Sequence, residues 1–210
     1  VESFVQAIRQ AVEPAPSQGL LSIFLRIQQI AKGTPTQFYE MHLHGPECVR
    51  EILHVQNRAD EPYDDLSFHV SPSAFFQPNT RQAERLYSRA LQMLDVPPDA
   101  VVYDLYCGTG TLGICISKRA KRVVGIEISP ESSLDARENA ALNKVKNVTI
   151  VSGSVEEVLE RVHLEQGIPS PDAVFIDPPR AGLDVKAIKQ LLDLKAKKIL
   201  YISCNPATQA

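Results

Sequence analysis

From residue 101 onward, short apolar runs alternate with amphipathic stretches, the pattern of repeated strand-helix units around a parallel sheet. Strands are predicted over residues 101–105, 122–126, 148–151, 172–176 and 198–203. Helices are predicted between them, over 112–120, 130–143, 155–162 and 185–194. The second begins Ser129-Pro130-Glu131, which supplies a cap hydroxyl, a first-turn proline and an acidic group at the positive end of the helix dipole. Five strands with four crossovers make a doubly wound, Rossmann-like α/β domain.

Residues 1–75 read differently. A helical pattern over 1–12 gives way to Pro14, Pro16, Gly19, Gly33 and Pro35, which punctuate shorter strand-like runs. The expectation is part of a smaller mixed α+β domain over 1–75, followed by the larger domain over 76–210. A linking helix is predicted over residues 80–94, stopped by Val96-Pro97-Pro98.

Composition narrows the class. Hydrophobic residues make up 44% and charged residues 22% of 210, the balance of a globular chain with a core. Twenty-two Lys and Arg against 25 Asp and Glu leave a net charge of −3, so any nucleic-acid site must be local. No apolar run approaches the ~18 to 20 residues of a membrane helix. The four cysteines (Cys48, Cys107, Cys115, Cys204) show no metal-ligand spacing and read as reduced thiols of a cytoplasmic protein. His42 and His44 alternate with no third ligand nearby, so no metal is expected. No feature calls for an oligomer, and a monomer is expected. The chain starts at Val1 and stops at Ala210 just past a strand-like run, which reads as a fragment.

The strongest local signal is Asp104-Leu105-Tyr106-Cys107-Gly108-Thr109-Gly110-Thr111, a glycine loop between strand and helix where backbone and free amides can approach a ligand. The next strand ends at Glu127, about twenty residues after the first glycine, where a carboxylate can take both hydroxyls of a ribose. The third glycine of a dinucleotide loop and the Gly-Lys-Ser/Thr of a phosphate loop are both missing. This points to a cofactor with a ribose and no phosphate, as in S-adenosylmethionine-dependent methyltransferases. Asp177-Pro178-Pro179-Arg180 follows the fourth strand at the sheet's carboxyl edge, stiffened by its prolines. Cys204, in Ser203-Cys204-Asn205-Pro206, ends the fifth strand across the same crevice.

Taken together, Phe75-Phe76-Gln77-Pro78-Asn79, the 104–110 loop, Val124-Gly125-Ile126-Glu127, Asp177-Pro178-Pro179-Arg180-Ala181-Gly182-Leu183 and Ser203-Cys204-Asn205-Pro206 resemble, in order and spacing over residues 65–210, the RNA 5-methyluridine (uracil-C5) methyltransferase family. Residues 1–65 resemble its central, RNA-facing region. The resemblance implies that Gln77, Tyr106, Gly108, Glu127 and Asp177 bind S-adenosylmethionine and that Cys204 is the nucleophile. It also implies cofactor contacts near Thr111 and Ser154, where this chain departs from the residues of some members. The implied reaction is thiolate attack on uracil C6, methyl transfer to C5 and loss of the C5 proton, on a uridine of tRNA or rRNA drawn out of its stack.

In the family the proton acceptor is a glutamate some tens of residues beyond the Ser-Cys-Asn-Pro motif. The chain ends six residues after Cys204, so cofactor binding without completed turnover is expected. The family's RNA-binding barrel and the iron-sulfur cluster of some members are not recognisable here. RNA 5-methylcytosine enzymes carry their cysteine in the Asp-Pro loop, where this chain has Pro178-Pro179, and that difference favours uracil. The alternatives are an amino-directed nucleic-acid methyltransferase using the Asp-Pro-Pro loop, in which Arg180 stands where an aromatic is usual, and a non-catalytic cofactor- or RNA-binding module. Two basic clusters, Lys118-Arg119-Lys121-Arg122 and Lys195-Lys197-Lys198, read first as solvated faces and only second as phosphate contacts.

Overall fold

A computed structural model describes residues 2–12, 22–29, 37–162 and 169–204, in two compact units, Val1–Val49 and Arg50–Ala210. In the first, helix α1 (Glu2–Val12) accompanies an antiparallel pair, β1 (Ile23–Gln29) and β2 (Gln37–His44). Phe24 and His42 stack at 4.9 Å between ring centroids, and Arg26 pairs with Glu40 at 3.4 Å. The expected turns at Pro14, Pro16, Gly19, Gly33 and Pro35 lie outside the described residues.

In the second unit, β3 (Val49–Val55) and β4 (Asp64–Val70) form a two-stranded sheet. Their alternate residues Leu53, Val55, Leu66 and Phe68 are buried, in one core with Ala83, Tyr87, Ala90, Leu91 and Leu94 of helix α2 (Thr80–Leu94). This shared core is why the compact unit begins at Arg50 and not near the expected division at residue 75. The five predicted strands form one parallel sheet: β5 (Val101–Leu105), β6 (Arg122–Glu127), β7 (Val148–Ser152), β8 (Ala173–Ile176) and β9 (Lys198–Tyr201), in the order β7-β6-β5-β8-β9. Helices α3 (Thr111–Ile116), α4 (Pro130–Leu142), α5 (Val155–Val162) and α6 (Val185–Asp193) complete the crossovers.

Strand alternation splits the apolar residues between the sheet's faces. Val102, Val123 and Phe175 join the core with α2 and α3, whereas Tyr103, Leu105, Val124, Ile126, Val174 and Ile176 meet Val158, Leu159, Leu191 and Leu194. The architecture is therefore the doubly wound, Rossmann-like one expected. Two boundaries moved by more than one residue. The predicted helix 112–120 breaks at Ile116 into a 3-10 turn over Ser117–Arg119, where the Ser117 hydroxyl donates to Ile114 O at 2.7 Å. The last strand stops at Tyr201 and not at 203, because its neighbour β8 runs into Pro178 and Pro179, which have no amide to continue a ladder.

Helix side chains occupy backbone groups of the small sheet, whose edges would otherwise be open. On the α4 side, Asn139 Oδ1 accepts from His69 N at 2.7 Å while its amide donates to His69 O and Thr109 O at 3.0 and 3.2 Å. Asn143 repeats the pairing with Ser67, and Asp135 accepts from the Ser71 amide and hydroxyl. Every fourth helix residue thus meets every second strand residue, since the two rises nearly match. On the α2 side, Glu84 and Ser88 accept from the amides of His54 and Gln56. Asn139 is fully buried and reaches the glycine loop as well as β4. Asn139→Ala leaves the half-buried amide and carbonyl of His69 and the buried carbonyl of Thr109 without this partner, and about 3 kcal/mol of unfolding free energy is expected to be lost in urea titration.

Candidate functional site

The strand order reverses at β5, whose neighbours are β6 and β8. At this switch point a parallel sheet opens a crevice beyond its strand ends. A pocket occupies it, lined by Phe75, Gln77, Tyr87, Asp104, Tyr106, Gly108, Thr109 and Asp177, among others. Gln77, Tyr106, Gly108 and Asp177, four of the expected binding residues, thus come together from segments far apart in the chain.

Glu127 stands behind the loop. Its carboxylate accepts from Gly108 N at 2.9 Å through Oε2 and from Ser129 N at 2.7 Å through Oε1, which fixes the carboxylate at the end of β6 with lone pairs to spare. The loop is tightly wound: Tyr106 has φ +62°, a conformation bulky residues avoid. Its hydroxyl donates to Glu156 Oε1 at 3.2 Å, and burial together with the Glu156 charge pushes its pKa up. Gly110, at φ +78°, opens α3, and a Cβ there would lie 3.1 Å from that of Ala136.

Asp104 quoted itself in the loop motif but was not among the expected cofactor residues. It is fully buried, accepts from Gly113 N at 2.8 Å, and burial lifts its pKa to about 7, with the charges of Asp177 and Glu127 adding to the rise. Burial also raises Asp177 to about 6. Two desolvated carboxyls beside a third, with no described cation paired to them, form an electrostatic hole for a positively charged ligand group. Phe75 and Thr109, which stand in the recognised motifs without having been expected to bind, also line the pocket, as does Tyr87, which has no signal of its own in the sequence.

Gly113 shows how closely α3 must approach. A Cβ there would stand 3.0 Å from Asp104 Oδ2 and 3.2 Å from Val123 Cγ1. Alanine is the better helix former by about 1 kcal/mol. Gly113→Ala is nevertheless expected to lower the melting temperature and weaken ligand binding, because the carboxyl must move; a higher melting temperature would contradict this packing.

Cys204 follows β9, next to the β8 end that carries Asp177. It does not line the pocket described above; burial raises the pKa of Tyr201, and the neighbouring Cys204 and Asp177 add to the rise. None of the four cysteines forms a disulfide, and Cys204 alone of them is exposed. Burial holds the thiols of Cys107 and Cys115 well above the usual range, so neither supplies a thiolate. Asn205 and Pro206 lie outside the described residues. Thr111 is buried with its hydroxyl 3.0 Å from that of Thr109, and Ser154 Oγ accepts from Glu157 N at 3.2 Å as a cap of α5. Among the described residues no cluster of His, Cys, Asp or Glu could hold a metal ion, and no helix is long and apolar enough to cross a membrane.

A family model described as tRNA (uracil-5-)-methyltransferase matches residues 16–210. An uncharacterised RNA methyltransferase of Protochlamydia amoebophila is 59% identical over 209 residues, covering 100% of this chain and 47% of that protein. One from Lactobacillus johnsonii is 48% identical over 175 residues, covering 83% and 37%. The chain thus spans less than half the length of these relatives. Among solved structures, the tRNA (uracil-54, C5)-methyltransferase of Pyrococcus abyssi in complex with S-adenosyl-L-homocysteine matches with TM-score 0.64 and 30% identity, over 90% of this chain and 42% of that one. The precorrin-6y C5,15-methyltransferase of Geobacter metallireducens, at 22% identity and TM-score 0.55 over 68% and 70% of the two chains, shares the fold.

Proposed function

Because the chain belongs to the tRNA (uracil-5-)-methyltransferase family, we propose that it forms the cofactor-binding and nucleophile-bearing part of an enzyme that methylates C5 of uridine in RNA. The observation that carries this reading is the switch-point pocket with its buried carboxyls, set beside β9, which Cys204 follows by three residues. When bound, S-adenosylmethionine supplies an electrophilic methyl group on a sulfonium. Its ammonium and sulfonium are the positive groups that Asp104 and Asp177 lack as partners, and its ribose diol suits Glu127 at the end of β6. Gln77 and Tyr106 close the pocket walls, and the loop at Gly108 lets the backbone come near.

Uracil C5 is a poor nucleophile. Addition of the Cys204 thiolate to C6 forms an S–C6 bond and moves an electron pair onto C5 and the O4 enolate, so C5 can take the methyl group. Removal of the C5 proton then returns the electron pair and expels the thiolate. The exposure of Cys204 leaves it within reach of a base drawn out of an RNA strand. The supporting relatives are RNA methyltransferases, and the similar archaeal structure is that of a tRNA (uracil-54, C5)-methyltransferase.

Titration calorimetry tests the cofactor half of this proposal. S-adenosyl-L-homocysteine is expected to bind the chain with one site, and NAD and ATP, which carry phosphates the loop is not built for, are expected to give no heat. Binding of either nucleotide in preference to S-adenosyl-L-homocysteine would contradict it.

A further inference from the structure

A second concavity, of about 460 Å³, lies between α2 and the β3–β4 sheet, lined by His54, Tyr63, Arg81, Glu84, Arg85 and Arg89 among others. Its chemistry is unlike that of the cofactor pocket. Arg81, Arg85 and Arg89 recur every fourth residue on the face of α2 opposite the buried Ala83, Tyr87 and Ala90. They therefore form a row with steps of about 6 Å along the helix axis. All three are exposed and make no ion pair or hydrogen bond with any described residue.

Several cations outside the groove are engaged within the protein. Lys118 pairs with Asp64, Arg119 with Glu61 and Lys197 with Asp172, while Lys198 caps the carbonyls of Leu94 and Asp95. Most of the two basic clusters noted in the sequence is thus engaged within the protein. In the groove the acidic groups are Glu84, which accepts from His54 N, and Asp65, which pairs with the His54 ring at 2.6 Å. That leaves the three guanidinium groups in excess. Tyr63 offers a ring that is 61% exposed at the same groove.

The row also has a direction. The carboxyl end of α2 is tied to the start of β9 through Lys198, and its amino end follows Gln77 of the cofactor pocket. Arg81 is therefore nearest the sheet edge from which Cys204 projects, and Arg89 is two turns away.

We infer that the α2 groove is a single-stranded RNA site, in which Arg81, Arg85 and Arg89 hold successive phosphates and Tyr63 stacks a base, leading the strand that flanks the target uridine to the catalytic edge. Guanidinium forks suit phosphates, and a cationic track with an aromatic platform is how strands are held without sequence preference. This inference rests on the RNA reading above and adds where the strand lies.

The test is fluorescence anisotropy of a labelled oligouridine RNA with the chain, repeated over a salt series. In Arg81→Gln/Arg85→Gln/Arg89→Gln, loss of three phosphate contacts is expected to reduce the slope of log affinity against log salt by about 2 and to weaken binding roughly a hundredfold at 0.1 M salt. Tyr63→Ala is expected to cost roughly tenfold with the slope unchanged. The charge-matched control Lys144→Gln/Lys146→Gln/Lys189→Gln should bind as the parent does. S-adenosyl-L-homocysteine affinity and melting temperature should be kept in every variant, since these side chains lie on the surface.

An unchanged slope in the arginine variant, or an equal loss in the control, would overturn the groove assignment and leave RNA as the substrate. Displacement of the RNA by poly-glutamate as readily as by unlabelled oligouridine would overturn it in favour of an acidic protein segment. No RNA binding by the parent chain would overturn both this inference and the RNA reading.

Discussion

In the full-length context of this chain, methyl transfer to uridine is expected to fall by at least about a thousandfold when Cys204 is replaced by alanine, with S-adenosyl-L-homocysteine affinity unchanged. The size follows from chemistry: without addition at C6, C5 has no electron pair to give, and the other thiols of the larger unit, Cys107 and Cys115, are buried with raised pKa values. The cofactor side is untouched because Cys204 does not line the pocket. As an exposed side chain, it leaves no cavity behind on truncation. Nucleoside mass spectrometry of the RNA reads the outcome. Retained activity would shift the account to an amino-directed reaction at the Asp177-Pro178-Pro179 loop, with Cys204 a bystander.

Asp104→Asn is expected to weaken cofactor binding roughly a hundredfold, about 3 kcal/mol, because a buried cation then lacks its partner. The pH dependence has a definite sign. A cationic ligand favours the ionised carboxylates, so binding releases protons from Asp104 and Asp177, whose free values are about 7 and about 6. Affinity should therefore rise from pH 5 to about 7.5 and level off above. In Asp104→Asn the upper part of that rise should vanish. Stability of the ligand-free chain runs the other way. The folded carboxyl keeps a proton that the unfolded chain has released above its ordinary value of 3.8, so stability falls as pH climbs from about 4 to about 7. Asp104→Asn should accordingly raise the melting temperature at pH 8 and change it less at pH 5. A variant that lost stability at pH 8 as well as affinity would show that Asp104 is structural.

The sheet was legible because parallel strands buried on both faces read as short apolar runs, and each of the five fell within two residues of its expected ends. α2 and α4 were equally plain: Asn79 and Ser129 cap them by accepting from Gln82 N and Ser132 N, and Pro130 sits in the first turn. The affiliation of β3 and β4 was not legible. Their tie to the larger unit runs through Asn139, Asn143 and Asp135 on α4, whose partners are backbone groups about 70 residues away, and backbone groups leave no mark in a sequence pattern.

The site divides along the same line. Gln77, Tyr106, Gly108 and Asp177 stood in recognisable motifs, and the structure gathers them at one pocket. The weight carried by Asp104 could not be read, since its burial comes from the approach of α3 at Gly113, a property of packing. Ser154 stands where the resemblance implies a cofactor contact, and its hydroxyl caps α5. The arginine row of α2 was hidden by the neutral overall charge. Lys118, Arg119 and Lys197, which stand out in the sequence as basic clusters, are held in ion pairs, whereas the three arginines are unpaired among the described residues and share one groove.

Intact-mass spectrometry of the chain after incubation with S-adenosylmethionine and an RNA carrying 5-fluorouridine tests the central claim most directly. Fluorine at C5 cannot leave as a proton does, so the thiol cannot be eliminated after methyl transfer. The account predicts a protein-RNA adduct whose peptide map places the link on Cys204, absent from Cys204→Ala. A link at another residue, or no adduct with a chain that binds both S-adenosyl-L-homocysteine and RNA, would contradict it.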